Sequence, residues 1–112
     1  GFFVLHSKFE DLYNDAAEKV DELAERILTL GGVPKNKFSD YLKAANVKEV
    51  EGISKGDEAL KNILETYGYF ISEERNILSI ASQAGDEATV ALMSDYLKEQ
   101  EKMVWMLCAY NS

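Results

Sequence analysis

Residues 2–30 carry apolar side chains at unbroken steps of three and four: Leu5, Phe9, Leu12, Ala16, Val20, Leu23, Ile27 and Leu30. Such spacing returns to one side of an α-helix every turn, whereas a half-buried strand alternates residue by residue. Gly31-Gly32 followed by Pro34 stops the run, because glycine accepts the left-handed conformation of a helix end and proline cannot continue a helix. Globular helices average about 10–14 residues, so a helix over 2–30 favours a bundle or a coiled-coil-like pairing. Tyr13 and Ala24 widen its apolar stripe into a face with room for more than one neighbour.

Two further helices follow. The second is expected over 55–84, with Leu60, Ile63, Leu64, Tyr67, Phe70, Ile71, Ile77, Leu78 and Ala81 as its apolar series. Ser54 with Asp57 resembles a capping box at its start. Glu74 falls where that series should continue and reads as a solvent-facing break, with a buried, partnered carboxylate as the alternative. Gly85 interrupts the pattern, and Asp86 and Glu87 suit the positive end of a third helix over 86–109. Val90, Met93, Tyr96, Leu97, Val104, Leu107 and Cys108 mark its apolar side. Between the first two helices, residues 33–54 form a connection with a short helix over 39–45, capped by Ser39 and packed through Tyr41, Leu42 and Ala45. The fold class is all-α, with three long helices and a short crossover helix. A connection this long sets two long helices as parallel neighbours. The broad face of the first helix asks for a fourth, which these residues do not supply.

Composition narrows the function classes. At 112 residues the chain is one domain at most. Twenty acidic against twelve basic side chains give a formal net charge of −8, which argues against a nucleic-acid surface and suits the attraction of cations. Cys108 is the only cysteine, so it forms no disulfide within the chain and reads as a small residue on a late helix. No stretch is apolar enough to suggest a membrane span. The opening Gly1-Phe2-Phe3-Val4-Leu5 does not read as a signal peptide; it reads as the middle of a protein, cut where a helix begins.

His6, the sole histidine, stands four residues before Glu10, and Asp21 stands four before Glu25. Each pair shares a helical face. At about 1.5 Å of rise per residue, His6 and Asp21 are roughly 22 Å apart, too far to share one ion within one helix. A second, antiparallel copy removes the objection. The midpoint of His6 and Asp21 falls between Tyr13 and Asn14, and that of His6 and Glu25 between Asp15 and Ala16. A twofold crossing near Tyr13 to Ala16 sets His6 and Glu10 of one chain beside Asp21 and Glu25 of the other, with Ala16 and Ala17 permitting close approach. Isologous symmetry then makes two equivalent sites. One imidazole with several carboxylates suits iron in either common oxidation state, and also manganese or zinc, rather than a sulfur-rich structural site.

The run Leu5-His6-Ser7-Lys8-Phe9-Glu10, then Tyr13, then Asp21-Glu22-Leu23-Ala24-Glu25-Arg26-Ile27 and Gly31-Gly32-Val33-Pro34, closely resembles the Dps family, the mini-ferritins also called DNA-binding proteins from starved cells. The resemblance also takes in Ser39-Asp40-Tyr41-Leu42 and Trp105-Met106-Leu107, and it covers essentially the whole chain. It implies a ferritin-like four-helix-bundle subunit whose twofold dimers assemble into a hollow shell of twelve. It implies oxidation of iron(II), preferentially with hydrogen peroxide over dioxygen, and storage of iron(III) mineral, in the cytoplasm with possible nucleoid association. By resemblance, His6 is the histidine ligand, Glu10 a nearby acidic contributor, Asp21 the aspartate and Glu25 the bridging or terminal glutamate from the dimer partner. The iron site is then dinuclear or asymmetric and shared between subunits.

The family's first helix, with its further histidine in an His-Trp pair, has no match here, and iron affinity and turnover are expected to fall if that helix is physically absent. Asp86, Glu87 and Asp95 lie near the region where the family lines acidic pores, so they are candidates for drawing iron(II) inward; ordinary helix N-terminal charge is an equal alternative for Asp86 and Glu87. Trp105 reads as a packing residue. DNA binding finds no basic tail at either visible end, and Lys98 and Lys102 are scattered charges on an acidic background. The competing reading is a catalytically impaired or non-catalytic helical oligomerisation module.

Overall fold

The computed structural model describes residues 2–31 and 57–111; the expected short helix over 39–45 and the Ser54 side of the expected capping box lie outside them. Three helices follow in order: α1, Phe2–Thr29; α2, Asp57–Gln83; α3, Glu87–Asn111. Among the described residues there is no strand.

The helix ends follow from local chemistry. At the end of α1, Gly31 adopts φ +83° and its N–H donates to the Leu28 carbonyl at 2.9 Å. Gly85 does the same for α2, with φ +74°. Its N–H reaches the Ser82 carbonyl at 3.1 Å and the Asp86 N–H reaches the Ala81 carbonyl at 2.9 Å, the paired bonds of a Schellman ending. Asp86 then caps α3. Its Oδ1 accepts the Thr89 backbone N–H at 3.2 Å and its Oδ2 accepts the Thr89 hydroxyl at 2.5 Å. Asp86 therefore stands just outside the helix it was expected to begin.

The chain divides into two compact units within α2, at Thr66 and Tyr67. The first unit holds α1 and the opening turns of α2, and its buried apolar residues are Phe9, Leu12, Ala16, Leu23, Leu60 and Ile63. Val20 and Ile27 are half-buried. Leu30, expected to close the buried line, is exposed, because the helix ends at Thr29 and the turn carries Leu30 off the stripe. Lys19 is buried against expectation of its type; its Nζ donates to Asp15 Oδ2 one turn earlier at 2.9 Å, a compensation that a buried ammonium requires.

The second unit holds the rest of α2 and α3, with Tyr67, Phe70, Ala81, Met93, Tyr96, Leu97 and Leu107 buried. Tyr67 and Phe70 meet edge to face, ring centroids 6.2 Å apart. An exposed ion pair between Arg75 and Glu101 joins the two helices across their tight connection, so they run antiparallel. Glu74 is buried, at 3% exposure, and is not the solvent-facing break its type suggests. It continues the three-and-four line of Leu60, Ile63, Tyr67 and Phe70, and that register carries it inward. Gln100 on α3 is buried as well, and no described group hydrogen-bonds either of its amide atoms. Trp105, expected to pack, is 68% exposed, and Cys108 is exposed.

Candidate metal centre

Four of the candidate ligands belong to α1. At about 100° of rotation per residue, positions 6, 10, 21 and 25 fall within an arc of roughly 100° on the helix circumference. Phe9, Leu12, Ala16 and Leu23, all buried, occupy a separate arc. Tyr13 lies between the two, Ala17 and Ala24 fall within the donor arc, and all three are half-buried. One side of α1 thus serves its own unit's core, while the adjoining side sets donors around small residues.

Glu10, Asp21 and Glu25 are exposed; the His6 side chain lies outside those described. Thr29 Oγ1 donates to the Glu25 backbone carbonyl at 2.8 Å, an i−4 bond that occupies main chain and not the carboxylate. The donor types sort by end: an imidazole position with Glu10 early on α1, two carboxylates late. Among the described residues, no three His, Cys, Asp or Glu side chains gather as a metal cluster within the chain.

Two details of the expected crossing change. Ala16 is 2% exposed and belongs to the core, so of the two alanines only Ala17 lies on the outer arc. Leu28, 61% exposed, sits on that arc too, unremarked in the ligand pattern. Its signal was the spacing Tyr13, Ala17, Ala24, Leu28, a second stripe of four- and seven-residue steps beside the first. The candidate pore residues separate. Asp86 is half-buried and engaged in capping α3, whereas Glu87 and Asp95 are exposed.

No described helix is long and apolar enough to cross a membrane. The ferritin-like domain family matches the chain over residues 1–112. A DNA protection during starvation protein of Porphyromonas gingivalis is 52% identical over 109 residues, covering 97% of this chain and 69% of that protein. General stress protein 20U of Bacillus subtilis is 37% identical, covering 97% and 75%. Among solved structures, the DPS protein of Vibrio cholerae O1, described as a member of a broad superfamily of ferritin-like diiron-carboxylate proteins, superposes with a TM-score of 0.75 at 46% identity, covering 98% of this chain and 69% of that one. With three long helices, no strand among the described residues and these relatives, the chain belongs to the Dps family and has its ferritin-like, all-α fold.

Proposed function

We propose that the chain is a ferroxidase and iron-storage subunit. It takes iron(II) as substrate, oxidises it with hydrogen peroxide in preference to dioxygen, and retains iron(III) mineral inside a homo-oligomeric shell of twelve, limiting oxidative damage. The observation that carries this reading is the arc on α1: positions 6, 10, 21 and 25 share one side of the helix, and the carboxylates described there are exposed while the core stripe is not. Membership of the Dps family supports it, as does likeness to the Vibrio cholerae protein, itself placed among the diiron-carboxylate proteins. Hard carboxylate oxygens with one imidazole hold both iron(II) and iron(III).

The site is completed by a second copy. An antiparallel α1 crossing between Tyr13 and Ala17 brings His6 and Glu10 of one chain to Asp21 and Glu25 of the other, twice per dimer. In the order of roles, His6 and Asp21 fix the iron, Glu25 bridges or closes the sphere, and Glu10 supplies a nearby acid. Asp95, with Glu87, draws iron(II) toward the interior; Asp86 serves the α3 cap first. A cytoplasmic setting accompanies this reading. Several relatives are named for DNA protection, but a net charge of −8 over these residues opposes contact with a phosphate backbone, so iron chemistry is the primary activity.

The test follows iron(II) loss on adding hydrogen peroxide to the assembled full chain. Asp21→Asn combined with Glu25→Gln is expected to lower peroxide-dependent iron oxidation about tenfold or more; consumption at the unaltered rate contradicts the site. In the same assay Asp95→Asn is expected to slow iron influx while final iron per subunit stays constant, and an unchanged influx rate removes Asp95 from the path.

A further inference from the structure

We infer that Tyr13 is a one-electron donor for the same reaction, consumed when a site holds a single iron(II); the inference rests on the shared site proposed above. Hydrogen peroxide takes up two electrons. Two iron(II) ions supply both, but one iron(II) supplies only one, and the second must come from elsewhere or a hydroxyl radical escapes. Tyr13 is placed to supply it. Its ring is half-buried and stacks on the buried Phe9, centroids 6.3 Å apart and planes 28° from parallel. It lies in the boundary between the core stripe and the donor arc, on the ligand-bearing side of α1.

Register makes the position more specific. Tyr13 is seven residues from His6 and eight from Asp21, so about 10 Å and about 12 Å along the axis. In the reversed pair each Tyr13 therefore stands near the twofold, almost midway between the two shared sites. An electron crosses such a span through protein by tunnelling, and no atom of Tyr13 need touch iron. The step balances: iron(II), the tyrosine phenol, hydrogen peroxide and one solvent proton give iron(III), a neutral tyrosyl radical and two waters. The O–O bond breaks, iron and tyrosine are each oxidised by one electron, and the phenolic proton ends in water. The Phe9 stack and partial burial shield the resulting radical, and a further iron(II) with one solvent proton restores the phenol, leaving iron(III).

The experiment compares the full chain with Tyr13→Phe, which keeps the ring and its stack on Phe9, and with Tyr69→Phe as a second tyrosine change. Each is loaded anaerobically with one or two iron(II) per subunit and given hydrogen peroxide. Iron(II) loss, electron paramagnetic resonance and spin-trapped hydroxyl radical are then read together. At one iron per subunit the parent and Tyr69→Phe are expected to show a tyrosyl signal. Tyr13→Phe is expected to lose it and to release severalfold more trapped hydroxyl radical. At two irons all three proteins are expected to oxidise iron at equal rates. Normal iron oxidation with the same radical signal and the same trapped yield in Tyr13→Phe overturns the role of Tyr13 alone. A parent chain that consumes no iron(II) overturns the proposed function, and this inference with it.

Discussion

Gln100 and Lys19 are both buried polar side chains, and they meet burial differently. Lys19 is ion-paired with Asp15, one turn away on the same helix, a pairing that four-residue spacing makes available in sequence. Gln100 carries two amide atoms that no described group hydrogen-bonds, and burying such atoms costs on the order of 1–3 kcal/mol. Gln100→Leu, which keeps volume and removes the amide, is therefore expected to raise unfolding stability by about 1–3 kcal/mol. Urea denaturation of the two proteins checks it, and a loss of stability would show that the amide is satisfied in the assembled protein. Glu74 is buried too, because the periodicity of α2 carries it inward although its charge favours solvent.

At the scale of the elements, the turn between α2 and α3 concentrates three devices in three residues: the left-handed Gly85, the Schellman bonds, and the Asp86 cap on Thr89. A Cβ on Gly85 meets nothing within 4 Å, so backbone conformation, and not crowding, is what requires glycine there. Asp86→Ala removes the acceptor for the Thr89 backbone N–H and is expected to cost about 1 kcal/mol of stability, read as a lower melting temperature with α3 otherwise helical by circular dichroism. No change would mean that solvent caps the helix as well as the carboxylate does. The helices themselves were legible in sequence because each carries a periodic apolar line and a glycine stop; α1 and α2 end within a residue of the expected positions. Exposure was less legible. Leu30 and Trp105 are apolar by type yet exposed, since composition says nothing about where a helix ends or which of its sides remains uncovered.

At the scale of the whole molecule, the candidate site was legible as spacing but not as a constellation. His6, Glu10, Asp21 and Glu25 share an arc that sequence periodicity alone predicts. A single chain nonetheless keeps its two ends about 20 Å or more apart along the axis, so one chain cannot gather all four around one ion. The structure assigns Ala16 to the core and leaves Ala17, Ala24 and Tyr13 half-buried on the adjoining side. Subunit mixing tests the central claim, that each iron site draws on two chains. His6→Ala removes the early donor, and Asp21→Asn with Glu25→Gln removes the late ones; each variant alone is expected to oxidise iron(II) only at background. Co-refolded in equal amounts, half the dimers are mixed and half the sites in a mixed dimer are whole, so peroxide-dependent oxidation is expected to recover to about a quarter of the parent activity. A mixture that stays at background, with mixed dimers verified to have formed, contradicts the shared site.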